Sequence, residues 1–427
     1  MFFNIQLGAI ASEITLCGGE SATDYIGIQQ IDDMTHYPEN NVLRQIWQFL
    51  YEGVNRANYM EENKANIDFE GKEAMYGEVY FLRAYYYFEL VKFFGDVPLF
   101  TEARLTAGQA GTLMRTPKDE VYAQIELDLQ NAIASLPNSQ SQVGRVNKYT
   151  AYALLGKVLL YQDKFAEAAS ALDNVIGVYS LVSDYGSQFL RFGENGPESV
   201  FEIQYSNQSN WYDWGCAHCS EGNYAIIMNG PRGWSGPEYA QGWSFNVPTE
   251  EFYNSFEEGD SRRDATVLDI EAFAAATGAS YTEGYDHTGY FNNKYIPRAG
   301  ESGGQTELNY LTNFRIIRYS DVLLMAAEAY NRSGIDDGLA QEFLNQVRRR
   351  AFGGDDNDIS ASGSALTDAI WEERKFELSL EGHRFFDLVR TGRASSLIAG
   401  FVEGKHEVFP IPQQEVDISG LTQNAGY

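Results

Sequence analysis

The chain has 427 residues, and its 31 Lys and Arg against 60 Asp and Glu leave a formal charge of −29. Such a balance repels DNA, RNA and anionic lipid surfaces, arguing against nucleic acid as a partner and against polyanionic substrates. Hydrophobic residues at 44% and aromatics at 14%, against 21% charged, supply a large core and exclude global disorder.

From the start, Met1 to Leu16 lack both a basic n-region and a hydrophobic h-region, and no apolar run reaches the roughly 20 residues that span a bilayer. Two amphipathic helices are predicted between Asn41 and Phe94. Ile46, Leu50, Val54 and Ala57 mark the first, and Val79, Leu82, Tyr86 and Leu90 the second. Gly95-Asp96-Val97-Pro98 closes the second. Thr116-Pro117-Lys118-Asp119-Glu120 reads as an N-cap, an N1 proline and first-turn acids, opening a helix through Val121, Ile125, Leu129 and Ile133 that ends near Leu136-Pro137. Tyr149 to Ile176 resembles a tetratricopeptide unit, with small residues where two helices must touch. A looser copy runs from Arg318 to Ala351 around a Gly334 turn, and a further pair spans Ala365 to Arg390. Between Ser180 and Phe314 periodicity collapses into Gly, Asn, Ser and Pro, and the one clear strand candidate is Ser199 to Tyr205. The expected fold is mainly α, a tetratricopeptide-like helix-pair scaffold at about 41–180 and 315–400. A loop-rich insert with little β structure fills about 181–314, and long irregular connections of this kind commonly carry function.

Catalytic motifs are few. Gly300-Glu301-Ser302-Gly303-Gly304 matches G-x-S-x-G, but without the strand and helix that flank a nucleophile elbow it reads as a loop. There is no P-loop, no G-x-G-x-x-G and no EF-hand spacing, so no cofactor is expected. His36, His218, His287, His383 and His406 are dispersed. Cys216, His218 and Cys219 form a C-x-H-C cluster that needs a fourth ligand to hold zinc, so no metal is assigned; the two cysteines could equally pair as a disulfide or stay free, and Cys17 stands alone. Glu377 and Glu381, one turn apart, suggest the two carboxylates of a glycosidase, but Arg374 and Arg384 beside them, with Asp387, favour an intrahelical ion-pair network.

The insert's aromatics point to a ligand. Trp211, Tyr212 and Trp214 fall within four residues, and Trp234, Tyr239 and Trp243 follow among Gly and Pro with no period that would bury them together. Sugar rings stack their C–H faces on such aromatics, while Asn210, Asp213, Asn229 and Arg232 stand near enough in sequence to hydrogen-bond hydroxyls. His36 and Tyr37 of an early loop are added as candidates. The alternative is that many of these rings anchor the loops.

Several blocks in order resemble the SusD/RagB family. They are Trp47-Gln48-Phe49-Leu50-Tyr51 with Asn55, Ala57 and Asn58; Gly77 to Phe88 followed by Phe94-Gly95-Asp96-Val97-Pro98-Leu99; and Arg318 to Ala329 with Val347, Arg348, Arg350 and Ala351. Glu373 to Leu378, Glu381 to Arg390, Phe409-Pro410-Ile411-Pro412 and Gln423-Asn424-Ala425-Gly426-Tyr427 complete the pattern. The resemblance implies a single domain over 1–427 that binds an oligosaccharide without catalysis. It also implies a lipid anchor on the extracellular face of the outer membrane and hand-over to a SusC-like, TonB-dependent transporter. The charge favours a neutral glycan. The chain begins close to the first family helix, with neither a signal peptide nor a lipid-attachment cysteine near its start, so it reads as truncated or mis-started there and the anchor is inferred from the family. Arg83, Glu328, Arg348, Arg374 and Glu381 are expected to lock helices by ion pairs. Two other readings are a tetratricopeptide-type protein scaffold with the aromatics as its interface, and a helical glycoside hydrolase using Glu377 and Glu381.

Overall fold

Asn40 opens the helix Asn41–Glu62, its side-chain Oδ1 accepting the Val42 and Leu43 amides at 3.0 and 3.2 Å and filling two donors that a helix start leaves orphaned. In this computed structural model, which describes residues 2–206, 208, 221–301 and 308–427, Ile46, Leu50, Val54 and Ala57 are all buried, as their spacing implies. The next helix, Lys72–Phe94, ends at Gly95 as expected, but its buried side differs. Leu82, placed on the apolar seam with Val79 and Tyr86, is 39% exposed, while Tyr76, Phe81, Ala84, Tyr87, Phe88 and Phe94 are interior. Aromatic and aliphatic residues surround this helix almost completely, so spacing alone could not choose its inner face.

The helix Lys118–Ser135 starts one residue later than expected: Pro117 takes the cap position, and the Thr116 backbone pairs instead with Val97. A reciprocal capping box between Asn147 and Thr150 opens Lys148–Leu160. There Gly156 lets Leu172 of the following helix, Phe165–Leu172, approach to 2.5 Å of where a Cβ would stand. These helices, each packed on its neighbour in sequence, join the C-terminal segment and its helix Gln413–Ser419 in one compact unit, His36–Val178 with Phe401–Tyr427. Buried Arg83 ties this unit together, donating to Asp128 through two 2.7 Å contacts and to Asn58 and the Thr101 carbonyl.

The other unit comprises Met1–Thr35 and Tyr179–Gly400. Its helices Tyr319–Ser333, Asp337–Phe352, Ser364–Leu378 and Arg384–Arg390 fall where periodicity places them. Two more, Phe2–Ile10 and Ile26–Asp32, form in the leading segment, where no helix was anticipated. Among the described residues, 17 α-helices and eight strands of three to five residues confirm a mainly helical chain. The insert holds more strand than the single segment expected. Ser199–Ile203 pairs with Phe314–Arg318, Arg232–Ser235 with Ser280–Thr282, Val267–Asp269 with Tyr290–Asn292, and Thr15–Gly18 with Phe245–Pro248, all antiparallel. Strands this short, paired only in twos, never build the alternation by which a longer strand is recognised.

The charged stripe after Glu373 turns out to be a tertiary network, which corrects the intrahelical reading. The helix Ser364–Leu378 stops before Glu381. Arg318 donates to both Glu381 oxygens at 2.8 Å, to Glu377 at 2.8 Å and to Glu198 at 2.6 Å. Arg350 and Arg262 also reach Glu377, and Lys294 reaches Glu381 at 2.7 Å. Arg374 spans Asp321 and Asp387, Arg348 meets Glu373, Glu328 meets Arg390, and Arg384 turns to Glu13. Nearly all of these groups are buried, so each ion is compensated by partners from other elements.

Candidate functional site

The strand pair Thr15–Gly18 and Phe245–Pro248 sets out a cleft within the Met1–Thr35 and Tyr179–Gly400 unit. Gly18 faces Phe245 in register, and the Gly19 amide donates to the Ser244 carbonyl at 2.8 Å. Gly18 has φ +72°, and a Cβ there would lie 2.1 Å from the Ser244 oxygen, so only glycine fits this crossing. Across from it, Gly242 donates to the Pro231 carbonyl, Trp243 to that of Ile227 and Ser244 to that of Gly230, strapping 242–244 onto 227–231. A Cβ on Gly242 would stand 1.8 Å from the Asn229 oxygen, which fixes the close approach and with it the position of the Trp243 ring.

The resulting cleft, about 330 Å³, is walled by Tyr25, Met228, Trp243 and Phe245, with Glu20, Asp24 and Arg232 as its charged groups. Trp243 is partly buried, and Tyr25 packs edge-on against Phe245 at 6.3 Å. The Asp24 carboxylate accepts from Arg232 and from the Glu20 amide, each at 2.8 Å, and Glu20 lies 3.7 Å from the same guanidinium. One cation faces two carboxylates, so the cleft offers directed N–H donors without net attraction for an anion.

Of the residues singled out from sequence, this cleft unites Trp243 and Arg232. Trp234 lies on the short strand Arg232–Ser235 and packs with Tyr239 and Phe273 against Leu268, Ile270, Phe291 and Ile296. Tyr239 is buried in that cluster, 6% exposed, beneath the Arg298 guanidinium. Asn229 is 1% exposed, its amide donating to the Ala225 and Tyr295 carbonyls, so its hydrogen-bonding capacity serves the loop. His36 and Tyr37 belong to the other unit. There His36 is buried between His406, Phe409 and Tyr427, hydrogen-bonded to the Tyr427 hydroxyl at 2.8 Å, while Tyr37 is 46% exposed. Asn210, Trp211, Tyr212, Asp213 and Trp214 lie outside the described residues, as do Cys216, His218, Cys219 and Ser302.

Sequence reasoning missed Glu20, Asp24, Tyr25, Met228 and Phe245. Glu20, Asp24 and Tyr25 sit in a polar stretch with no period of its own, and only pairing with a distant strand brings them to the site. Among the described residues no three His, Cys, Asp or Glu side chains converge as a metal ion would need, and no helix is long and apolar enough to cross a membrane.

Asp32 braces the strand Thr15–Gly18. Its Oδ2 accepts the Cys17 amide at 2.7 Å, and burial, reinforced by the nearby negative Asp33 and Asp286, pushes its carboxyl up to about 7. The folded state thus binds this proton more tightly than the unfolded chain, so the stability it contributes is full below about pH 4 and is lost as pH rises through 7. Asp32→Asn keeps the acceptor and removes the charge. It should be more stable than the parent at pH 8, on the order of 2 kcal/mol, with the gap closing as pH falls from 7 to 4; urea unfolding at several pH values measures this, and a pH-independent difference would contradict it.

Comparison with known proteins gives a consistent picture. The model of the SusD family matches residues 270–405, and a model described as starch-binding and associating with the outer membrane matches 17–160. SusD-like protein P2 of Formosa agariphila is 29% identical over 93% of this chain and 83% of its own length. A solved laminarin-binding SusD-like protein superposes with a TM-score of 0.90 at 37% identity, covering 99% of this chain and 94% of that one. Surface glycan-binding protein A from Bacteroides thetaiotaomicron, solved with laminarihexaose, gives 0.88 at 30% identity, covering 99% and 93%.

Proposed function

Because this chain belongs to the SusD family, we propose that it is a non-enzymatic protein that captures a neutral oligosaccharide at the outer-membrane surface, held there by a lipid anchor, and delivers it to a SusC-like, TonB-dependent transporter. The observation that carries this reading is the Trp243 cleft, in a chain 37% identical to a laminarin-binding protein. An indole held by a strapped loop offers a flat apolar face to the C–H side of a sugar ring. Beside it, Arg232, oriented by Asp24, can donate to hydroxyls at the ring's rim. Two carboxylates against one guanidinium favour an uncharged glycan, and a β-glucan of the laminarin type is the first ligand to test.

The absence of catalysis is supported by the state of the glutamates that suggested a hydrolase. Burial alone would raise the Glu377 carboxyl, but the guanidiniums of Arg350, Arg318 and Arg262 hold it well below the usual range, and Arg318 and Lys294 lower Glu381 in the same way. Neither can keep the proton that a general acid must donate. Calorimetric titration should give saturable heat with laminarihexaose and none with a polyuronate of equal length, while reducing ends stay constant in both mixtures. Failure to bind any neutral hexasaccharide of a panel, or release of reducing sugar, would overturn the proposal.

A further inference from the structure

A second cavity, about 300 Å³, opens within the unit His36–Val178 with Phe401–Tyr427. One wall is a fixed aromatic step. Trp47 lies 4.8 Å from Tyr51, and Tyr51 stacks on Phe100 at 5.7 Å with their planes 12° apart. The Tyr51 hydroxyl donates to the Pro98 carbonyl at 2.8 Å, and the Asn55 side chain accepts the Leu105 amide at 3.0 Å, pinning the segment that bears Phe100 and Leu105 across the helix Asn41–Glu62. Leu113 and Leu421 extend the apolar lining. The cavity is therefore preformed, mostly apolar and supplied with few polar groups, the usual make-up of a small-molecule site.

Its charge is one-sided. Glu52 and Glu415 line it, and among the described residues no Lys or Arg does. Glu52 is engaged by Arg56. Glu415, partly buried, has no ion-pair partner among the described residues. Of the guanidiniums nearby, Arg44 hydrogen-bonds Gln414 and offsets the Glu415 charge only in part, while Arg115 donates to the Asp96 and Thr422 carbonyls and to the Asn424 side chain. Burial holds the Glu415 carboxyl above the ordinary glutamate range despite the opposing pull of Arg44, a cost that a cation seated in the cavity would relieve further. A neutral or anionic guest would instead bury that carboxylate further without compensation.

We propose that this cavity is a second binding site, independent of the Trp243 cleft, for a small ligand that joins an apolar body to a single positive charge, such as an arylalkyl primary amine. Its ring lies along the Trp47, Tyr51 and Leu421 lining and its ammonium meets Glu415, with the neighbouring π faces adding cation–π attraction. The acidity of the whole chain draws such cations in.

Three matched probes decide the matter on the full chain: tyramine, 4-ethylphenol and 3-(4-hydroxyphenyl)propionate. Tyramine should bind about tenfold more tightly than 4-ethylphenol, with the propionate weakest. Glu415→Gln should bring tyramine down to the level of 4-ethylphenol. Leu421→Trp, which fills the cavity, should abolish binding of both; Leu105→Trp fills it from a surface segment and serves where Leu421→Trp fails to fold. Equal affinity for all three probes, or tyramine binding that survives cavity filling, overturns the proposal. Displacement of tyramine by laminarihexaose also overturns it, because the cavity would then be a glycan subsite.

Discussion

Arg318→Met is expected to lower the unfolding free energy of the unit that contains it by about 3–5 kcal/mol. The guanidinium compensates Glu198, Glu377 and Glu381 at once, all of them buried, and it also donates to the Glu377 carbonyl and the Ser320 hydroxyl. Removing it strands carboxylates that cannot reach water, and that desolvation, more than the lost attraction, sets the cost. Arg349 provides the contrast. Its partners Glu342 and Asp358 lie towards solvent, where ion pairs contribute about 0–1 kcal/mol, so Arg349→Met should scarcely move the same transition. Denaturant unfolding followed by circular dichroism compares the two; if Arg318→Met tracks Arg349→Met, the buried network is not what holds these helices together.

The second large effect concerns binding. Trp243→Ala should weaken the affinity for laminarihexaose by about tenfold to a hundredfold, because one aromatic platform often supplies a dominant share of such contacts. Trp243→Phe should recover part of the loss, since a smaller ring still offers a flat face. Tyr239→Phe should bind like the parent: that ring is interior and its hydroxyl meets interior neighbours, Asn293 at 3.3 Å and Arg298. Affinity electrophoresis in glycan-loaded gels reports all three, and unchanged retardation of Trp243→Ala would remove Trp243 from the site.

How far the sequence could be read depended on whether the determinants were local. The helix Asn41–Glu62 is written in its own residues, with a capping Asn40 and apolar side chains every third or fourth position. Lys72–Phe94 was legible as a helix but not in its orientation, because residues around its whole circumference are apolar enough to be buried. In the insert, composition led to Trp243 and Arg232, yet it also led to Asn229 and Tyr239, whose environments are interior. A polar side chain beside aromatics looks the same in sequence whether its amide meets a ligand or, as with Asn229, two backbone carbonyls. Glu20, Asp24 and Tyr25 had no local signature at all; pairing with a distant strand brings them to the cleft.

That pairing has a consequence for how the protein is made. Thr15–Gly18 is synthesised before Phe245–Pro248, which must receive it and follows more than two hundred residues later. At ordinary elongation rates the first strand waits on the order of ten seconds or more with its edge unsatisfied. The cleft therefore cannot exist until both strands are present and paired, and competence to hold a ligand arrives as a long-range closure instead of accumulating helix by helix.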